Sequence, residues 1–396
     1  MENRYYTSFW NYVKTGEIEN ESAADDWKKM GINLPMSWEY IDGVSDKQCF
    51  LGMLDALEKR GMKAILCDSR THWKALTEKG EKVYEEGVRR AVADFGNHPA
   101  AFGFHIGDEP NKTQMPDMIR AYKIVKKAAP HLSPFVNFLP YWEDYADEDS
   151  FNAHVEYMDK VAKEAELEMI CYDYYGQMAT NDSARLIDLY FKNLNAFRLV
   201  AERNRIPLWT TLLSTAHYNS KTVTEDDVMW QIATAAAHGC TGIFWFYVYF
   251  RNLVNGSYRN YPIANYGEEK EYGDVFYYLS RQNRIFLKHY AARLEGFRLS
   301  AVRHYNASYG FTKLFKKGEF EIADVDMIVN KEAPLIISRF VNEEGRVKYV
   351  VVNNDREKSA KAKFSYKGDY SEAQVNKMQL PDLWLGAGQM AVIDIL

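Results

Sequence analysis

Two adjacent carboxylates, Asp108 and Glu109, are the residues of this chain with the clearest potential for chemistry. They follow the apolar stretch 101–107, which has the length and composition of a buried β-strand, and Pro110 comes directly after them. Cleavage of a glycosidic bond needs one carboxylic acid to protonate the leaving oxygen, and a second carboxylate to act as nucleophile or to activate water. An apolar, half-buried setting at a strand end raises the pKa of such an acid towards the working pH. We therefore predict Glu109 as the proton donor.

The second carboxylate must come from another segment of the chain. Asp173 follows the apolar stretch 167–171 and lies within the sequence Tyr-Asp-Tyr-Tyr, so that neighbouring tyrosines could orient it. The end of this stretch could face the end of 101–107 across a barrel mouth. We predict Asp173 as the second catalytic residue, with Asp68 and Glu39 as alternative candidates.

A structural role is the alternative for each of these acids. Asp108 and Glu109 could cap the helix that follows them or pair with Arg70. Asp173 could bind substrate hydroxyls only, or hold a loop in place. The side-chain geometry at the strand ends must decide between these interpretations.

The other ends of the predicted strands carry amides, carboxylates and aromatic rings with few basic groups. Carboxylates and amides bind hydroxyl groups, and aromatic faces stack on the C–H faces of sugar rings. Aromatic residues also fill cores, and Trp245, Tyr247 and Tyr249 alternate along one segment, so only one or two of these three are expected to reach a ligand. The predicted substrate-binding set is Trp10, Asn11, Trp38, Glu39, Asp68, His105, Asp108, Asn137, Tyr141, Tyr175, Trp209, Trp245 and Tyr247.

A repeated unit of helix and strand must position these side chains. Ser45–Gln48 has the pattern of a capping box, the following segment places apolar residues on one helical face, and Gly61 ends the helix before the apolar stretch 63–68. Thr224–Asp227 begins another unit of the same kind. Strands that are apolar along their whole length and alternate with helices are typical of a parallel sheet with both faces covered.

Eight such strands predict an α/β fold, a (β/α)8 barrel, whose active site lies at the carboxyl ends of the strands. No glycine-rich fingerprint follows any of them, which disfavours a nucleotide-binding fold. A long loop over the mouth, 252–271, has the character of a lid. The predicted strands are 5–11, 32–38, 63–68, 101–108, 134–140, 167–173, 206–213 and 241–249.

The pattern changes after Gly296. The segments 336–342 and 347–353 flank a Glu-Glu-Gly turn, and 361–366 and 389–395 continue in the same strand-rich manner without helical periodicity. We predict a catalytic barrel over 1–298 and a small antiparallel β-sandwich over 299–396.

The strand-four segment, GFHIGDEPN, resembles the acid/base strand of barrel glycoside hydrolases of the clan that includes β-galactosidases, cellulases and agarases. The segments 134–142, 168–176, 226–249 and the terminal GAGQMAVIDI resemble a bacterial branch of that clan, so the resemblance covers nearly the whole chain, sandwich included. It implies the acid/base role for Glu109. The clan places its nucleophilic glutamate at the end of strand seven, whereas the stretch 206–215 of this chain contains no acid.

Composition excludes several classes of function. The 396 residues carry a net charge of −6 and no basic stripe, which argues against a nucleic-acid partner. No apolar run approaches the ~20 residues of a membrane span, and the first residues lack the pattern of a secretory signal. The four cysteines have no metal-ligand spacing and are expected to be reduced. We expect a cytoplasmic enzyme with a small carbohydrate substrate, no cofactor and no metal; the sequence does not predict the oligomeric state.

Glycoside hydrolysis is thus the leading hypothesis. The missing strand-seven acid motivates an alternative, a degenerate barrel that binds sugars without cleaving them. A metal-dependent barrel hydrolase or isomerase using Asp68, His105 and Asp173 is a third, although the spacing typical of zinc enzymes is absent from the sequence.

Overall fold

Eight parallel strands form the first part of the molecule in a computed structural model. The strands are β1 (Tyr6–Phe9), β2 (Met36–Tyr40), β3 (Ala64–Asp68), β4 (Ala101–Asp108), β5 (Phe135–Phe138), β6 (Ile170–Asp173), β7 (Leu208–Leu213) and β8 (Cys240–Phe246). The structure describes residues 4–141, 147–177, 183–251, 257–267, 269–367, 374–375, 378–379 and 382–395.

The strands are hydrogen-bonded in the order β1-β8-β7-β6-β5-β4-β3-β2, and the seam between β1 and β2 is closed by loop contacts. The carbonyl oxygen of Thr7 accepts hydrogen bonds from the backbone N–H groups of Asn33 (3.2 Å) and Leu34 (3.1 Å). These contacts explain why the second strand begins at Met36, later than the predicted residue 32: the chain first bonds across the seam and only then pairs with β3. The predicted (β/α)8 barrel is confirmed.

Five of the described helices begin where a side chain accepts hydrogen bonds from their free N–H groups. Thr224 and Asp227 form a capping box at the start of one predicted unit. The box predicted at Ser45–Gln48 is wrong in detail: Asp46 accepts the N–H groups of Gln48 and Cys49, while Ser45 Oγ accepts that of Ile41. The helices are α1 (Asn20–Lys29), α2 (Lys47–Glu58), α3 (Trp73–Lys79), α4 (Glu81–Ala91), α5 (Met115–Ala128), α6 (Glu148–Ala165), α7 (Ser183–Asn204), α8 (Glu225–Ala237), α9 (Asp274–Ile285) and α10 (Ala292–Leu294).

The barrel interior is filled by side chains and is not a channel. Its largest member, Trp209, packs against Phe135 and Phe244 with ring centroids 6.0 and 5.7 Å away. Gly242 on the neighbouring strand makes room for this indole, because a Cβ atom there would lie 2.3 Å from the ring. The floor beneath the barrel mouth is therefore rigid and apolar.

Beyond the hairpin β9 (Ile263–Asn265) and β10 (Glu271–Tyr272), the chain forms two antiparallel sheets. The six-stranded sheet has the order β11-β13-β14-β19-β16-β17, and the three-stranded sheet has the order β12-β15-β18. Their strands are β11 (Phe297–Tyr305), β12 (Ile322–Val329), β13 (Leu335–Asn342), β14 (Val347–Asn353), β15 (Ala360–Tyr366), β16 (Gln374–Val375), β17 (Met378–Gln379), β18 (Leu383–Leu385) and β19 (Met390–Asp394).

The larger sheet is buried on both faces. Ile336 and Val350 belong to the apolar core of the barrel helices, whereas Ile337 and Val351, one residue further along each strand, belong to the core between the two sheets. The boundary at residue 298 stays a prediction; β11 itself begins at Phe297.

None of the described helices combines the length and the apolarity that crossing a bilayer requires. All four cysteines are free thiols, and three of them are buried.

Candidate active site

Three carboxyl groups meet at the carboxyl end of the barrel because their strands are neighbours. Asp108 and Asp173 end β4 and β6, and Asn137 lies on β5 between them, paired in register with Asp108. The Asn137 side-chain amide donates to Asp108 Oδ1 at 3.1 Å and to Asp173 Oδ1 at 2.8 Å. One amide thus fixes the positions of two acids.

Glu109 turns back towards this cluster. Its backbone has φ +46°, a left-handed conformation unusual for a side chain of this size, and its N–H donates to the carbonyl oxygen of Asn137 at 2.9 Å. The Glu109 and Asp173 carboxyl groups are hydrogen-bonded to each other. Such a contact requires a proton on one of the two carboxyls.

Burial is the main cause that raises the pKa of both members of this pair. The pKa of Asp173 is raised well above its usual value by burial, then by the negative charges of Glu109 and Asp108. Asp173 is buried, whereas the Glu109 side chain is partly exposed at the mouth. The deeper residue is shielded from solvent, and the outer residue can meet a ligand.

Asp108 adds a third acid to the cluster. Burial, followed by the charge of Glu109, raises its pKa to about 7. Within the described part of the chain, no lysine, arginine or histidine forms an ion pair with Asp108, Glu109 or Asp173. A site of this kind retains protons near neutral pH.

A cavity of about 220 Å³ adjoins the acids on the side of β1 to β4. Six of its residues belong to the predicted substrate-binding set, whereas Tyr12, Met36, Cys67, Ser69 and His72 do not. The lining is Trp10, Asn11, Tyr12, Met36, Glu39, Cys67, Asp68, Ser69, His72, His105 and Asp108.

Two polar residues of this cavity, Asp68 and Asn11, already form hydrogen bonds within the protein. Arg70 donates from Nε and Nη2 to Asp68, with the shortest distance 2.7 Å, so the guanidinium pairs with Asp68 and not with the strand-four acids. The Asn11 amide donates to the carbonyl oxygen of Met36 at 3.2 Å, and its oxygen accepts the N–H of Val13 at 3.1 Å. Glu39, by contrast, is exposed at the rim.

His105 and Trp10 form one wall of the cavity, in edge-to-face contact at 5.5 Å. Burial lowers the pKa of His105 to about 3, so the imidazole is neutral, and its Nε2 has no hydrogen-bond partner among the described residues. The Trp10 indole donates to Thr211 Oγ1 at 3.2 Å. The neutral imidazole thus leaves one buried nitrogen of the cavity wall without a partner among the described residues.

Aromatic rings form the wall on the side of β6 to β8. Tyr175 stacks on Phe246 at 5.6 Å, and Tyr247 meets Tyr12 edge to face at 5.6 Å. Burial, and then the charge of Asp173, raises the pKa of Tyr175 well above its usual value. Its phenol therefore stays protonated beside the acid pair.

Four predicted residues lie away from this cluster. Trp38 packs on Trp27 and its indole donates to Asn20 at 2.8 Å, while the Trp245 indole donates to Asn283 at 3.1 Å, both within the helix-facing core. Trp209 belongs to the barrel interior, as described above. Tyr141 lines a separate cavity of about 460 Å³ near the starts of α5 and α6. We leave these four out of the proposed substrate-binding set because they do not border the acids.

Tyr12 is a residue of the mouth that was not predicted from the sequence. It contacts Tyr247, and the guanidinium of Arg251 lies 4.3 Å above its ring. The negative charges of Asp108 and Asp173 contribute to a raised pKa of Tyr12, after burial, which places its phenol near both acids. Its position two residues after Trp10, and hence on the same side of an extended chain, was the available signal. Of the predicted lid loop, 252–256 and 268 lie outside the described residues.

No family model matches the chain, and no curated protein matches its sequence. Its structure is similar to a beta-galactosidase from Bacillus circulans sp. alkalophilus, with a TM-score of 0.63 and 9% identity, over 99% of this chain and 99% of that one. It is also similar to Eubacterium rectale Amy13B, with a TM-score of 0.55 and 10% identity, over 100% of this chain and 96% of the other. At these identities the likeness concerns the fold: the chain shares, over its full length, the architecture of a (β/α)8 barrel followed by a β-sandwich.

Proposed function

We propose that this chain is a glycoside hydrolase, with Glu109 as the proton donor and Asp173 as its partner acid. The observation that carries the proposal is the hydrogen-bonded pair formed by these two carboxyls, which holds one proton at the mouth of the barrel. The structural neighbour with the higher TM-score is a beta-galactosidase by name, which supports a carbohydrate substrate.

The chemistry begins when the glycosidic oxygen of the substrate reaches Glu109. The shared proton moves through Glu109 onto this oxygen, the bond to the anomeric carbon breaks, and its electron pair stays on the departing alcohol. Asp173 is then a carboxylate and stabilises the positive charge that develops on the sugar ring. Water attacks the anomeric carbon, and the proton that it releases returns to the pair.

The remaining residues bind the sugar. Asn137 and Asp108 hold the acid pair, and the Glu39, His105 and Tyr175 side chains offer groups that bond hydroxyls. Trp10 and Tyr12 line the cavity with aromatic rings, and Tyr247 packs against Tyr12. No step of this scheme uses a metal or an organic cofactor.

A panel of phenyl glycosides that differ in sugar and anomeric configuration, and whose leaving group needs protonation to depart, tests the proposal. At least one should be hydrolysed, and Glu109→Gln should lower kcat/KM on it by about 10²- to 10⁴-fold, the contribution of a positioned acid. Glu85→Gln, on the exposed face of α4, is the matched control and should retain full activity. Full turnover by Glu109→Gln would refute the assignment.

The absence of an acid from β7, whose six residues are all buried, favours one competing function, a barrel that binds sugars without cleaving them. Binding of a sugar together with no hydrolysis of any panel member would select it. The metal-dependent alternative is weakened by Arg70, which already occupies the Asp68 carboxylate. A cytoplasmic location stays a prediction.

A further inference from the structure

A series of aromatic rings leads from the acid pair to the outside of the barrel mouth. Tyr175, beside Asp173, meets His217 edge to face at 5.3 Å. His217 stacks on Tyr258 at 5.4 Å, with an interplanar angle of 18°, and contacts Tyr218 at 5.5 Å. The rings are in continuous contact from the buried Tyr175, through the buried His217, to the solvent-exposed Tyr218.

The outermost ring, Tyr218, is presented to solvent. It is 65% exposed, the second highest value among the large apolar side chains of the described residues. Its backbone has φ +45°, a left-handed conformation that costs free energy for any residue with a Cβ atom. Strain of this kind persists only where the surrounding structure enforces it.

Hydrogen bonds from both neighbouring segments enforce this conformation. The N–H of Arg259 donates to the carbonyl oxygen of Ala216 at 2.9 Å, and its guanidinium donates to that of Ser220. The N–H of Lys221 donates to the carbonyl oxygen of Gln177 at 3.0 Å, which ties the same turn to the segment after β6. The backbone of the turn that carries Tyr218 is thus held at both sides, and it presents the ring to solvent.

We propose that Tyr218, with Tyr258 and His217 behind it, is an outer subsite that binds a second or third sugar unit of an oligosaccharide through the C–H face of its ring. This inference rests on the proposed function and specifies its substrate class. The cavity lined by β1 to β4, about 220 Å³, is smaller than the ~300–1,000 Å³ of pockets that enclose drug-sized ligands, and so has room for about one sugar ring. A substrate that spans this cavity and the outer subsite is an oligosaccharide and not a simple monoglycoside.

Calorimetric binding in the Glu109→Gln background tests the subsite without turnover. The probes are β-1,4-linked trisaccharides of glucose, mannose and galactose together with the three monosaccharides. At least one trisaccharide should bind more tightly than its monosaccharide, and Tyr218→Ala should lower that affinity ratio about fivefold, the loss expected for one aromatic contact. Tyr218→Phe should restore the ratio because the ring remains, and Tyr277→Ala, an exposed tyrosine on α9, should leave it unchanged.

Two results would overturn the inference: equal binding of every trisaccharide and its monosaccharide, or a Tyr218→Ala variant that weakens both to the same extent. Hydrolysis of aryl monoglycosides by the unmodified chain reports separately on the proposed chemistry. If that hydrolysis is absent while trisaccharide binding depends on Tyr218, the subsite stands and the catalytic proposal fails.

Discussion

At the scale of single residues, the acids of the site are held in place by a small number of hydrogen-bond partners. Asn137 donates to both Asp108 and Asp173, and the only other described partner of the Asp173 carboxyl is Glu109. The positions of Glu109 and Asp173 at strand ends could be predicted from the sequence, because the carboxyl ends of parallel strands share one face. Their direct contact could not, since it depends on the register of three strands and on the positive φ of Glu109.

The charge of Asp108 gives a prediction on pH dependence. This charge raises the pKa of Asp173, so Asp108→Asn should lower the pKa of the acid pair, while an asparagine oxygen can still accept the bond from Asn137. Because activity needs the shared proton, the alkaline limb of the kcat/KM profile should move to lower pH. The exposed Asp326→Asn, in the β-sandwich, is the control. An alkaline limb that stays in place or moves upward would contradict the electrostatic account.

At the scale of elements, β4 delivers the acids through a tightly packed end. Gly107, directly before Asp108, lies against the indole of Trp73, and a Cβ atom there would lie 2.2 Å from Trp73 Cδ1. The eight strands could be predicted from the sequence, but not which aromatic residues face the mouth. Both faces of a barrel strand are apolar, so the pattern did not distinguish Trp245, which faces the helices, from Tyr247, which faces the mouth.

The packing of Gly107 predicts that Gly107→Ala both destabilises the fold and displaces the acids. We expect a loss of about 1–3 kcal/mol in the free energy of unfolding, as for other overpacked sites, and a fall in kcat/KM that exceeds the loss of folded protein. Denaturant titration and kinetics on the same samples measure the two effects. Gly386→Ala, where the nearest atom to a new Cβ is a side-chain oxygen at 3.4 Å, should change neither. An unchanged free energy of unfolding in Gly107→Ala would contradict this prediction, because it would show that Trp73 can move to make room for the Cβ atom.

At the scale of the whole molecule, barrel and sandwich share a continuous core that includes two buried histidines. His238 follows α8 and His304 lies on β11, with ring centroids 5.9 Å apart, and Phe191 of α7 packs against both. The sandwich could be predicted from its hairpins. The packing of the sandwich on α8 could not be predicted from the sequence. A strand that is apolar on both faces has the same sequence pattern whether helices or a second sheet cover it.

These histidines predict acid sensitivity of the whole fold. Burial lowers the pKa of His304 to about 3, although Asp188 opposes the shift, and His238 is shifted in the same direction. The unfolded chain therefore binds more protons than the native one between about pH 6.5 and pH 3, and stability falls as pH decreases through this window, by up to about 1.4 kcal/mol per pH unit for each histidine.

Urea unfolding at several pH values measures this dependence. His304→Asn, whose side-chain oxygen can still accept the N–H of Tyr309, should give a shallower loss of stability with decreasing pH than the parent chain. His289→Asn, at an exposed position, should keep the parent slope. If the free energy of unfolding falls with pH at the same slope in the parent and in His304→Asn, the buried histidines are not the cause of the acid sensitivity.

Dependence on the leaving group tests the central claim, that Glu109 donates the proton, most directly. With one sugar held constant, kcat/KM of Glu109→Gln is compared with that of the parent chain on a 2,4-dinitrophenyl glycoside, whose leaving group departs without protonation, and on an alkyl glycoside, whose leaving group needs it. The account predicts a small loss on the first and a loss of about 10²- to 10⁴-fold on the second. Equal losses on both would show that Glu109 does not act as the acid.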